Sequence, residues 1–111
     1  MSINQTNFRE FIRSSAKPAV VKFHADWCKD CRAIKKAAAE LATEYEASLA
    51  FGELDTMVAP EIRDAYQVRG IPTFIAFRNG REIARAPTAD STQKELRSRA
   101  ELERFLASLL T

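Results

Sequence analysis

Apolar residues along the chain switch between a spacing of two and a spacing of three to four, and the switches mark out the elements. Phe8, Phe11 and Ile12 fall at helical spacing, with Asn4 or Thr6 as a candidate cap and Lys17-Pro18 as a stop. Residues 19–25 are β-branched and aromatic, interrupted by Lys22 and His24, and read as a strand. From Cys28 to about Ser48 the pattern is helical, with Ile34, Ala38, Leu41 and Tyr45 on one face. Residues 49–54 predict a second strand. Pro60 opens a short helix with Ile62, Ala65 and Tyr66 inward. Residues 73–77 are an almost unbroken apolar run, which predicts a strand covered on both faces. Asn79-Gly80 is a hairpin signal, because both residues tolerate positive φ, and residues 81–86 return as the antiparallel partner. Residues 90–110 predict a closing helix, capped by Asp90, or by Thr92 with Glu95 three positions on. Leu102, Phe105, Leu106 and Leu109 form its stripe.

Strands that alternate with helices imply parallel pairing through right-handed crossovers, and the hairpin adds an antiparallel strand at one edge. The predicted architecture is an α/β fold with a mixed four- to five-stranded sheet and helices on both faces, in a single domain over residues 1–111. Composition agrees: 46% hydrophobic and 29% charged residues suit a chain that buries one core. The 17 basic and 15 acidic side chains leave a net charge of +2. That lacks the clustered basic excess used to bind phosphate, so nucleic acid is not an expected partner. No run of about 18 apolar residues is present to span a membrane. The first residues show no basic start followed by an apolar stretch, so the expected compartment is the cytoplasm.

Cys28 and Cys31 are the two cysteines of the chain, and they stand where the strand pattern ends and the helical pattern begins. A bridge over two residues closes too short a loop to staple a fold. A close pair in a reducing compartment points instead to catalysis or metal binding. At a helix start the first N–H groups lack intrahelical partners, and the macrodipole contributes about half a positive charge. A thiolate is favoured there, since such sites lower a cysteine pKa from about 8.5 to as far as about 3.5–7.5. Cys31 lies one turn on, near the same face, and within reach to close a disulfide. The arrangement suits a two-step exchange: Cys28 attacks a substrate disulfide and Cys31 resolves the mixed disulfide. Lys29, Arg32, Lys35 and Lys36 crowd the helix start, and Glu40, Glu44 and Glu46 its end, the reverse of what the dipole prefers. The basic end either supports a thiolate, attracts an acidic partner, or is simply a solvated face.

The motif WCKDC, then Leu54-Asp55 at a strand end, then VRGIPT and a strand with an Asn-Gly turn, resembles the thioredoxin family from about Ala19 onward. The resemblance implies a thioredoxin-like fold and a thiol-disulfide oxidoreductase that reduces protein disulfides. Cys28 is then an exposed nucleophile, Cys31 a buried resolving thiol, and Trp27 a shield over the site. Ile71-Pro72 is a cis peptide facing the cysteines, and the Ile71 backbone pairs with an extended substrate strand. No bound cofactor is implied beyond the redox-active Cys28–Cys31 disulfide. Electrons come from NADPH through a flavin-containing partner resembling thioredoxin reductase. A monomer is expected.

The departures from the family pattern concentrate around the thiols. Lys29-Asp30 stands in place of the usual Gly-Pro; Lys29 favours a Cys28 thiolate and Asp30 opposes it. Lys22 occupies the place of a buried aspartate beneath the resolving cysteine. Buried, it could act as a neutral base; turned outward, it is a plain strand residue. His24 replaces an aromatic and either tunes Cys28 or fills space. Lys36 replaces a proline that kinks the helix. Residues 87–99 form a longer connection than usual, without the glycine that helps line the substrate groove. Three other readings compete. Cys28, Cys31 and His24 could be metal ligands, although a structural zinc site takes four. The chain could be a thioredoxin-fold binding module with an altered groove. It could also be an oxidase or isomerase, which usually carries a histidine before the second cysteine and an export signal.

Overall fold

Val20, Val21 and Phe23 are all completely buried. Side chains alternate across an extended chain, so a strand buried at successive positions must be covered on both faces. In the computed structural model, which describes residues 1–14 and 16–110, this strand is β2 (Ala19–His24). Ser15, which the first predicted segment crosses, and Thr111, the last residue of the predicted domain, lie outside the described residues. Around β2 stand β1 (Ser2–Ile3), α1 (Phe8–Ser14), α2 (Lys29–Glu44), β3 (Ala50–Asp55), α3 (Pro60–Ala65), β4 (Thr73–Arg78), β5 (Arg81–Ala86) and α4 (Arg99–Ser108).

The sheet order is β1-β3-β2-β4-β5. β2 runs parallel to β3, from Ala19 opposite Ala50 to His24 opposite Asp55. It runs antiparallel to β4, from Ala19 opposite Phe77 to Phe23 opposite Thr73. Asn79 and Gly80 have φ of 54° and 82° and turn β4 back into β5, as the dipeptide predicts. Phe74, Ile75, Ala76 and Phe77 of β4 are buried on both faces. The mixed five-stranded sheet with helices on both sides is the α/β architecture that the pattern implies.

Two clusters fill the two faces. Ile3, Phe8, Ile12, Val21, Phe23, Leu54, Ile62, Ile75 and Phe77 pack together on the side of α1 and α3. On the other side Val20, Phe74 and Ala76 meet Ile34, Ala38 and Leu41 of α2 and Leu102, Phe105 and Leu106 of α4. Full burial of one such large side chain contributes about 1.5–3 kcal/mol. The alternation that turns Val20 toward α2 turns Lys22 and His24 the same way. The polar residues of β2 therefore face the helix that begins beside the cysteines.

Three details differ from the sequence reading, and one choice that it left open, the cap before α1, is decided. β1 has only two residues, too few for a visible alternation, yet it pairs in parallel with β3 and buries Ile3. Ala65 is exposed; Ile62 alone of α3 is buried, with Tyr66 half-buried beyond its end. Asn4, not Thr6, shapes the approach to α1, because its Oδ1 accepts from the N–H groups of Thr6 and Asn7. The closing helix starts at Arg99 rather than at residue 90. Its cap is Ser98, whose Oγ accepts the Glu101 N–H.

The reason for the late start is Leu96. It is completely buried in a segment that is neither helix nor strand, and its N–H donates to the Pro72 carbonyl at 2.8 Å. Arg69 ties the same segment down through the carbonyls of Ala89 and Ser91. Residues 87–98 thus form an ordered strap across the end of β4, and helical geometry at residues 90–98 would forfeit these contacts. Leu96→Ala is expected to destabilise the protein by about 2–5 kcal/mol. Denaturant unfolding measures this, and a loss below about 0.5 kcal/mol would show that the strap is not packed as described.

Candidate active site

β2 ends at His24 and α2 begins at Lys29, so residues 25–28 must turn the chain. Cys28 closes the turn as the N-cap of α2, with φ −78° and ψ 117°. Its Sγ accepts the Cys31 N–H at 3.1 Å. A sulfur thus takes the place of the usual oxygen cap and satisfies one of the orphan first-turn donors. The spacing of three puts Cys31 one turn further along the same face. Both thiols are free.

Cys28 and Cys31 are 5% and 6% exposed. The expectation of an exposed Cys28 is therefore corrected: it packs with Ala25, Cys31 and Ile71. Cys28 is reached through a cavity of about 640 Å³, whose wall includes Trp27, Lys29, Asp30, Arg69, Ile71 and Glu95. Trp27 itself is 65% exposed and stands at the rim.

Across the cavity, Ile71-Pro72 is a cis peptide. The Cys28 thiol points at the Ile71 carbonyl, with Sγ to O at 3.5 Å. This loop is held from several sides. Thr73, itself buried, donates its hydroxyl to the Gly70 carbonyl at 2.6 Å. Leu96 bonds the Pro72 carbonyl from the strap. At Gly70 a Cβ would lie 2.6 Å from the Lys94 carbonyl oxygen, so only glycine permits the strap to pass this close. Cys28, Cys31, Trp27, Ile71 and Pro72 are therefore brought together.

The two thiols do not share an environment. Cys31 lines a second, smaller cavity of about 180 Å³ together with Lys22, His24, Asp26, Lys35 and Glu53. Burial pushes the Cys31 thiol up to about 12, and the hydrogen bond and charge of Cys28 add to that rise. A backbone hydrogen bond at Ala25 and the charge of Lys22 pull the other way. Lys22 does not turn out to solvent: its side chain is 13% exposed, and its Nζ lies 3.5 Å from Glu53 Oε2. His24 titrates below its ordinary 6.5, first because of burial and then because of Lys22, against the opposing charges of Glu53, Asp55 and Asp26. Its backbone carbonyl accepts from both the N–H and the hydroxyl of Thr56.

Lys29 and Asp30 are both exposed in the first turn of α2. Asp30 faces the strap, where its charge raises the pKa of Arg97, although the Glu95 carboxylate at 2.6 Å has the larger effect. Sequence reasoning missed Glu53, Thr73 and Leu96. Only Glu53 left a usable signal, since parallel pairing of the two predicted strands in register sets it opposite Lys22. Among the described residues, no group of three or more His, Cys, Asp or Glu side chains could hold a metal ion, so His24 does not converge with the cysteines as a ligand set. No helix among them is long and apolar enough to cross a membrane.

The thioredoxin family model matches residues 1–106. The chain is 37% identical over 86 residues to the thioredoxin of Griffithsia pacifica, covering 75% of this chain and 79% of that protein. It is 35% identical over 101 residues to the chloroplastic M-type thioredoxin of Spinacia oleracea, covering 85% of this chain. With the Mycobacterium bovis thioredoxin it shares 34% identity over 85 residues, covering 77% of this chain and 73% of that one. The chain spans 56% and 58% of the length of the M-type relatives from spinach and Chlamydomonas reinhardtii. A solved chain from work on thiol resolution in yeast mitochondrial 1-Cys peroxiredoxin superposes with a TM-score of 0.80. At 23% identity it covers 97% of this chain and 93% of its own, which is likeness of fold.

The environment of His24 gives stability a definite pH dependence. Unfolded, the imidazole titrates near 6.5; folded, it titrates lower. Protonation therefore favours the unfolded chain. The stabilisation tied to neutral His24 is complete above pH 6.5 and is lost as pH falls toward the folded value. Between about pH 7 and pH 5 the wild type is expected to lose more thermal stability than His24→Phe. Equal losses in the two melting series would contradict the depressed pKa.

Proposed function

The chain belongs to the thioredoxin family, and from that premise we propose that it is a thiol-disulfide oxidoreductase that reduces protein disulfides through Cys28 and Cys31. The observation that carries this reading is the cysteine pair at the α2 N-terminus, with the Cys28 sulfur set against the Ile71 carbonyl beside cis Pro72. In this reading Cys28, at the floor of the larger cavity, attacks a substrate disulfide and forms a mixed disulfide. Cys31, one turn deeper and closed off from that cavity, attacks the Cys28 sulfur and releases the reduced substrate. Trp27 and the Ile71-Pro72 loop bound the groove, and an extended substrate segment lies along the Ile71 backbone.

The family works through a redox-active cysteine pair, without a bound cofactor. We assign the electron supply to NADPH through a flavin-containing reductase, the site of action to the cytoplasm, and the acting unit to residues 1–111 as one monomeric domain. A second reading has one observation in its favour. The strap of residues 87–98 borders the groove, with Glu95 in its wall, and such a rim suits a binding module devoted to one partner.

Disulfide reduction with insulin and dithiothreitol separates the two readings. Wild-type turnover is expected, with none from Cys28→Ser or Cys31→Ser. Cys31→Ser is expected to accumulate mixed disulfides with substrate, and Cys28→Ser not to. Wild-type turnover no faster than that of the variants would favour the module; trapping by Cys28→Ser would exchange the two roles.

A further inference from the structure

The two thiols open onto different cavities, and this separation makes a demand that the exchange chemistry alone does not meet. Cys28 lines the larger cavity with Trp27 and Ile71. Cys31 lines the smaller one, away from the substrate groove. To attack the Cys28 sulfur, Cys31 must first lose a proton, since the thiolate is the nucleophile. A buried thiol resists that loss. In the mixed disulfide, moreover, Cys28 has no thiol or thiolate with which to receive the proton.

The charged groups facing this cavity come from every element around it. β2 supplies Lys22 and His24; the turn after it, Asp26; α2, Arg32 and Lys35; β3, Glu53, with Asp55 acting on His24 from the end of β3. Arg32 lines the cavity with its guanidinium bonded to the Asp26 carbonyl at 2.9 Å. Arg32, Lys35 and Asp26 are exposed, so water and salt weaken their fields. The neutral form of His24 is favoured, so it adds no cation. Lys22 is the cation of the cavity that is withdrawn from solvent, with a side chain 13% exposed. A charge in such a setting acts several-fold more strongly than one in water. Glu53 keeps it there: the two residues stand opposite each other in the β2–β3 ladder, and the carboxylate holds Nζ at 3.5 Å. A lysine without such a partner extends its ammonium toward bulk water.

We propose that the Lys22 ammonium, held by Glu53, is the positioning residue that lets Cys31 shed its proton into this second cavity during the resolving step. The proposal rests on the exchange reading of the cysteine pair. The step balances as follows. The Cys31 S–H bond breaks and the proton passes to water, for which a cavity of about 180 Å³ has room. The Cys31 thiolate forms the bond to Cys28 Sγ, and the bond from Cys28 to the substrate sulfur breaks. The electron pair leaves with the substrate thiolate, which takes up a proton from solvent. The protein dithiol gives up two electrons and the substrate disulfide gains them. Lys22 touches no reacting bond; its charge lowers the cost of the Cys31 thiolate. Glu53 leaves the balance cationic around the sulfur because it is half-exposed, at 53%.

An aromatic disulfide that releases a coloured thiolate reads the two steps separately. Mixed with reduced protein, it yields one equivalent when Cys28 attacks and a second when Cys31 resolves. In Lys22→Met the second phase is expected to slow about tenfold at neutral pH, the equivalent of one pKa unit, while the first stays within about twofold. Lys22→Arg keeps the charge and is expected to hold the second phase within about threefold of wild type. Circular dichroism checks folding, and Lys22→Gln replaces Lys22→Met if the latter does not fold. An unchanged second phase in Lys22→Met, equal slowing in Lys22→Arg, or slowing in His24→Gln alone would each overturn the role of Lys22. Release in a single phase by the wild type, indistinguishable from Cys31→Ser, would instead remove the exchange reading and Lys22's role with it.

Discussion

The reactive end of the molecule depends on β2 being bonded along both edges while it is buried on both faces. A strand held in two ladders cannot slip by one residue, because the slip would send every side chain to the wrong face. Here it would drive Lys22 into the cluster of Leu54 and Ile75 and turn Phe23 toward α2. The end of β2 is therefore fixed at His24, and Thr56 clamps it from the end of β3 with two hydrogen bonds to the His24 carbonyl. The turn that follows has no freedom in where it delivers Cys28. The cap of α2, the depth of Cys31 and the distance to the Ile71 carbonyl all derive from that one fixed point.

α2 carries its charges against its own dipole, and the structure shows where several of them are used. Glu40 meets Arg99 of α4 at 2.8 Å, and Arg99 also bonds Glu103 at 2.7 Å. Arg32 reaches back to the Asp26 carbonyl and braces the turn before the helix. Exposed pairs of this kind are weak, because water and salt screen them. The helix is held chiefly by Ile34, Ala38 and Leu41 on the sheet, which leaves its charges available for other tasks.

Much of the fold was legible because its causes are local. The apolar run of β4, the Asn79-Gly80 turn and the stripe of α2 each follow from neighbouring residues. The onset of α4 was not legible: Asp90, Thr92 and Ser98 are equally acceptable caps in isolation. The choice is made by Leu96, whose burial and bond to Pro72 are tertiary. The cysteines and Pro72 were legible from spacing and from resemblance. The burial of Cys28 and the pairing of Lys22 with Glu53 were not, because each depends on how distant segments are laid side by side. The two charges of that pair lie on different strands, and neither is unusual until the register is known.

The edges of the sheet have a consequence for how the molecule behaves in a crowded solution. β1, at one edge, is two residues long. β5, at the other, exposes Arg81, Glu82 and Ile83, and Arg85 is locked to Glu82 at 2.7 Å and to the Tyr66 carbonyl. A long, uncharged edge would invite a second chain to extend the sheet, the first move toward aggregation. Shortness guards one side and charge the other. Permanent attachment of other chains along the two flanks is thereby discouraged, whatever contacts form at the end that carries the cysteines.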